Sequence, residues 1–187
     1  MEIAQEHEHR DTITEDVFYP AHPPRSESPT FRATKRAGHA AKLPCAISGQ
    51  AIGTEYHHVF CEWAFTSAVD WLTVKGVATG EITRLPVLDL ETDQPTGETF
   101  DARQSLLWIV VTLASARGFD WQAFDPAKPE TFIDGMANML VLHSKFHRAK
   151  GHGIHAETLP VWIFQAFPRV PGFVYSADEL RSAHQGT

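Results

Sequence analysis

Apolar and polar positions change rhythm several times along the chain, and each change predicts an element. From Leu43 the residues become apolar, and "CAISGQAIG", beginning at Cys45, reads as a turn around Gly49 leading into a short strand that ends near "YHHVFC", which begins at Tyr56. "CEWAFTSAVDWLTV" then sets Trp63, Ala64, Ser67, Trp71 and Val74 near one face at helical spacing, with Gly76 as the stop. Alternation resumes around Val87, Leu88 and Leu90 and turns at "DQPTG", the pattern of a β-hairpin. "DARQSLLWIVVTLASARG" opens on Asp101 as an N-cap and closes on Arg117 and Gly118, which favours a helix, while the β-branched run from Ile109 to Thr112 keeps a strand open. After the irregular "FDWQAFDPAKPETFIDG", "NMLVL" is a short apolar strand or turn, "HSKFHRAK" a helix stopped at Gly151, and "PVWIFQAF" a final amphipathic helix closed by Pro168.

The first 42 residues lack such a rhythm. An acidic start gives way to "YPAHPPRSESP", where proline removes backbone donors and restricts its neighbours, so an extended arm is expected there. Its second half is basic, suited either to a phosphate backbone or to solvent.

Composition narrows the class. The chain has 187 residues, 43% of them hydrophobic, with five Trp and twelve Phe, enough apolar material for one well-buried domain. The tryptophans read as core, since none lies in a basic, aromatic-interleaved run. The apolar run from Leu106 falls short of the roughly 20 residues that cross a bilayer and reads as buried core. Two cysteines, Cys45 and Cys61, and a start without a charged-then-apolar leader pattern point to a reducing, cytoplasmic setting with no membrane partner.

Charge is uneven. A net charge of −7 argues against indiscriminate coating of nucleic acid. Yet residues 20–42 carry Arg25, Arg32, Lys35, Arg36 and Lys42 against Glu27 alone, and from Asn138 to Ala156 there is no acid, only Lys145, Arg148, Lys150 and four histidines. The net charge therefore leaves room for a local positive site on an acidic protein.

The histidines carry the candidate chemistry. On a helix, His143 and His147 would stand one turn apart, a spacing that suits metal ligation. On a strand, His57 and His58 would face opposite ways, leaving one imidazole for a metal and the other for a different task, unless a twist turns both toward one cavity.

"HHV" at His57, His58 and Val59, followed later by "NMLVLHSKFH" with nine positions from Asn138 to His147, resembles the HNH endonuclease family. That resemblance implies an α+β fold with a ββα-metal (His-Me finger) core: residues 43–62 and 135–156 as the core, 63–134 as a large helical and β insertion, and 157–187 as a C-terminal helical segment, all one domain behind the arm of residues 1–42. By position it implies His57 and His147 as metal ligands, His58 as general base, and Asn138 as the residue holding the loop that carries the base. His152 is the candidate third ligand, ahead of His155, because some members place a histidine thirteen after the Asn, where this chain has Gly151 with His152 next. Lys145, Arg148 and Lys150 are candidate phosphate contacts. One divalent ion (Mg, Mn, Ni or Zn) is the implied cofactor and DNA the implied partner, with a protein partner or homodimer adding grip. The implied activity is phosphodiester hydrolysis by a small accessory nuclease of the kind phages and mobile elements carry.

The chemistry also stands without the name. Hydrolysing a phosphodiester requires a nucleophile made from water and positive charge where negative charge grows. A neutral imidazole can take the proton near neutral pH, with activity expected to collapse as pH falls through about 6. The chain departs from the family pattern in its 79-residue gap from Val59 to Ala137, in Cys61 where proline is common, and in Cys45, Ser48, His143 and Phe146 where many members have two CxxC pairs. The alternative functions are a non-catalytic nucleic-acid- or protein-binding module on the same finger, and a His-metal hydrolase acting on another substrate.

Overall fold

Why a helix forms within the expected arm is legible once its end groups are considered. Ser28 accepts from the Phe31 amide (2.9 Å), Pro29 occupies the first turn, and the chain coils over Pro29–Ala40 (α1). Phe31 and Gly38 are its buried residues, so residues 29–40 are a docked helix rather than an extended arm. Proline upstream does not forbid this, because at the first helical position its missing N–H has no partner to lose. The computed structural model describes residues 26–148, 153–156, 167–170 and 173, all within one compact unit of residues 19–173. The expected helix in "PVWIFQAF" lies outside the described residues, except for Phe167.

The architecture is α+β, with two separate two-stranded antiparallel sheets. Strand β1 (Thr54–His58) pairs with β4 (Met139–His143), Thr54 opposite His143 and His58 opposite Met139, and α5 (Ser144–Arg148) follows directly. Between these strands the chain forms a 3-10 helix (Trp63–Ala68), α2 (Trp71–Thr79), the hairpin of β2 (Arg84–Leu88) and β3 (Pro95–Asp101), α3 (Leu106–Ala116) and α4 (Glu130–Ile133). The single helix expected from Cys61 is thus two pieces. Asp70 starts the second by accepting from the Leu72 and Thr73 amides. Gly76 does not stop it. A Cβ there would meet Ile82 at 2.6 Å, so glycine is needed for packing, and the helix closes at Gly80 in the left-handed region. The open choice at Ile109–Thr112 resolves as helix, capped by Ser105 rather than Asp101. That helix is buried on one side only: Leu107, Val110, Val111 and Ala114 face inward, while Leu106, Ile109 and Leu113 are exposed.

Two apolar centres result. Phe31, Tyr56, Met139 and Val141, flanked by Leu43 and Met136, join α1 to the β1–β4 pair. In the intervening segment Trp71, Phe119, Trp121, Phe124 and Phe132 meet ring to ring with centroids 4.6–6.0 Å apart, and Phe167 joins them at Trp71. Residues 168–170 return to this region, Asp70 donating to the Pro168 carbonyl and Val170 to that of Ala68. Cys45 and Cys61 are both buried free thiols. No helix among the described residues is long and apolar enough to cross a membrane.

Candidate metal centre

Strand periodicity places the first histidines. Residues two apart on β1 share a face, so Glu55 and His57 point one way, Tyr56 and His58 the other. His57 meets two more imidazoles: its ring centroid is 5.4 Å from that of His147 on α5 and 4.8 Å from that of His155 in the short 3-10 turn Ile154–Ala156. His147 and His155 bring their Nε2 atoms within 2.9 Å. One ligand atom from each of the three lies within 4.8 Å of the others, close enough to bind a metal. Two bare nitrogens at 2.9 Å repel, and a proton or a cation between them removes the repulsion.

The surroundings favour neutral, ligating rings. Burial pushes the His57 pKa down to about 4, with the His155, His147 and His58 charges adding to the effect, and burial likewise lowers His155. On the far side of His147, Glu55 Oε2 lies 2.6 Å from Nδ1, so the ring donates there and turns Nε2 toward the cluster. Arg148 grips both oxygens of Glu55, with Nε 2.8 Å from Oε2. The Arg148 hydrogen bonds and then the His147 contact hold the Glu55 carboxyl at about 2, against the desolvation of its setting. Three imidazoles and a carboxylate that orients one of them fit a divalent ion with open coordination positions.

His58 is oriented differently. Its ring stacks on Phe31 (5.6 Å between centroids, 17° between planes), and its Nε2 lies 3.0 Å from Asp134 Oδ1. Asp134 is itself fixed by Ser28 Oγ donating to Oδ2 (2.6 Å) and Thr34 Oγ1 donating to its carbonyl (2.7 Å). Glu62 spans the pair of adjacent histidines, 3.8 Å from His57 Nε2 and 3.7 Å from His58 Nδ1.

Asn138 is fully buried and uses its whole amide. Oδ1 accepts from the Phe60 (2.9 Å) and Cys61 (3.2 Å) amides, while Nδ2 donates to the Cys61 (2.9 Å) and Ile133 (2.8 Å) carbonyls. These bonds clasp the turn after His58 to the turn before β4. From the C-cap of α3, the Arg117 guanidinium adds a second clamp on the Met136 and Met139 carbonyls.

Other expected site residues separate. His143 ends β4 instead of opening a helix, so its one-turn relation to His147 is lost, and its Nδ1 accepts from the Lys145 amide (3.1 Å). It stands outside the three-histidine group. His152 and Lys150 lie outside the described residues. Lys145 is exposed beside the Phe146 ring, and the Arg148 charge is engaged by Glu55. Glu55, Glu62 and Asp134 were not singled out from sequence. Only Glu55 carried a usable signal, its position two before His57 on an expected strand. No family model matches the chain, and no curated protein or solved structure matches it.

Proposed function

We propose that this chain is a metal-dependent endonuclease of the HNH type that hydrolyses phosphodiester bonds of DNA, with β1, β4 and α5 as its ββα-metal finger. The observation that carries the reading is the meeting of His57 on β1 with His147 on α5 and His155 in the 3-10 turn after it, two regions far apart in sequence, with His58 next to His57 on the opposite strand face. His57, His147 and His155 would hold one divalent ion, His155 taking the place considered for His152. When bound, that ion supplies positive charge at the scissile phosphate.

The chain's own groups supply the rest. Asp134 accepts from His58 Nε2–H and fixes the tautomer, so Nδ1 is the nitrogen that takes the proton of the attacking water. Phe31 holds the ring plane by stacking, and Asn138 holds the turn that follows it. Lys145, exposed on α5, would contact phosphate directly. Arg148 reaches phosphate only by giving up a bond to Glu55, which makes it first an orienter of the carboxylate behind His147.

One observation favours the second reading, a non-catalytic binding module: His58 is only 5% exposed. Plasmid nicking in magnesium, manganese, nickel and zinc decides between them. His147→Ala is expected to lose both metal binding and cutting. His58→Ala is expected to keep the metal and to cut about 10²–10⁴-fold more slowly. Cutting by both variants at the native rate rejects this site as the enzyme's, and DNA binding without cutting in any metal selects the module.

A further inference from the structure

Between Ser28 and Thr54 the chain contains no acid, and α1 arranges the bases of this stretch along one side. Arg32, Lys35, Arg36 and His39 fall at i, i+3, i+4 and i+7, next to the face that Phe31, Thr34 and Gly38 turn inward. Lys35 is spent on Glu27. Arg32 donates to the Glu27 carbonyl and keeps its charge exposed. The Arg36 guanidinium and the Lys42 ammonium are exposed and form neither a hydrogen bond nor an ion pair among the described residues.

Lys42 sits where a lysine is costly. It follows the C-cap Ala41 with φ 52°, in the left-handed region, while the Leu43 amide bonds the Gly38 carbonyl and the Lys42 amide that of His39 (3.0 Å each). This is the Schellman closure, whose left-handed position favours glycine. A cation is held there against backbone preference, two residues past the end of α1.

We propose that α1 is a nucleic-acid grip: Arg32, Arg36 and Lys42 bind the phosphate backbone of the duplex on which the histidine centre acts. The inference rests on the nuclease reading for its substrate, and on α1 itself for its geometry. From Arg32 to His39 the helix rises about 10 Å, the axial rise of about three nucleotides of one strand. The grip is rigidly tied to the site, because Ser28 and Thr34 bond Asp134, Phe31 stacks on His58, and Gly38 closes on Tyr56 so tightly that a Cβ would stand 2.2 Å from its hydroxyl. The same packing argues against a lipid surface, since an interfacial helix needs a free apolar face and this one has turned its own inward.

The test is fluorescence anisotropy of the full chain with a labelled DNA duplex, in chelator so that nothing is cut, across a series of salt concentrations. Arg36→Ala and Lys42→Gly are each expected to lower the slope of log affinity against log salt by about 1. Lys42→Gly is also expected to raise the thermal midpoint, because glycine relieves the left-handed residue, so lost binding cannot be blamed on lost folding. Lys128→Ala, an exposed charge in the intervening segment, is expected to leave the slope unchanged. Native slopes for both α1 variants overturn the proposal. So does a chain that binds phosphatidylserine vesicles through these residues but not the duplex. A wild-type chain that cuts in no metal while the α1 variants still flatten the slope rejects the nuclease and leaves the grip standing.

Discussion

The intervening segment, residues 63–134, and the β1–β4–α5 region are stabilised by different physics. The former buries its side chains: Phe65, Phe132 and Ile133 are 0–1% exposed, and Trp71, Phe119 and Phe124 meet Phe132 or Trp121 edge to face. Area removed from water and ring geometry hold it, and neither depends on pH or on a ligand. The latter has a small apolar centre and buries His57, His58 and Asn138 together with the Asp134 side chain that the segment contributes, and their polar atoms must be bonded to be tolerated. A five-residue strand pair and a five-residue helix would not persist alone. The difference teaches that the long segment between the motif halves is the scaffold. It supplies Asp134 and Arg117 to the site and the apolar burial that the site lacks.

Four experiments break or sharpen this division. Phe132→Ala, in the aromatic centre and outside the three-histidine group, is expected to cost about 3–5 kcal/mol in denaturant unfolding and to abolish metal binding together with the fold. Metal affinity surviving the loss of the aromatic core would make the two regions independent. Asn138→Ala leaves two amides and two carbonyls without their partner, and a loss of about 3 kcal/mol is expected by the same measurement. A loss under about 1 kcal/mol would reduce the clasp to a bystander. Glu55→Gln is expected to weaken nickel or zinc binding about 10-fold by calorimetry, and Glu55→Ala about 100-fold, with unfolding nearly unchanged. Native affinity in both would leave His147 orientation to packing alone.

The smallest effect concerns protons. In the metal-free chain the folded His57 titrates at about 4, below its ordinary 6.5. Between those values the unfolded state binds more protons, so this residue's contribution to stability is present above pH 6.5 and is lost as pH falls toward 4. His57→Gln is expected to remove that part of the pH dependence of unfolding. It also means that His57 itself stays ready to ligate well below pH 6, so a collapse of activity near 6 would have to come from another group.

Much of this layout was readable from residue order. The strand that ends at the histidine pair, the hairpin, the short strand or turn that opens the second motif and the short helix that carries His147 all follow from local rhythm and turn residues, whose physics acts over a few positions. Reading α1 as an extended arm went wrong because composition was weighed over the N-cap at Ser28 and the one apolar side chain, Phe31, that docks the helix. His143 lies in β4 and not on the helix for a non-local reason. Pairing with Thr54 across the sheet keeps it in the strand, and no local pattern announces a pairing across 89 positions.

The order of residues by itself determined which chemistry is available: adjacent histidines whose rings must diverge on a strand, an asparagine and a histidine nine apart, and an acid-free basic stretch. Only the tertiary structure decided which of these groups meet. It chose His155 for the cluster, set Glu55 behind His147 and Asp134 against His58, and turned an apparent tail into a docked helix. The reason is that side-chain direction is set within a few residues, whereas proximity between distant segments is set by how the aromatic core folds the intervening chain.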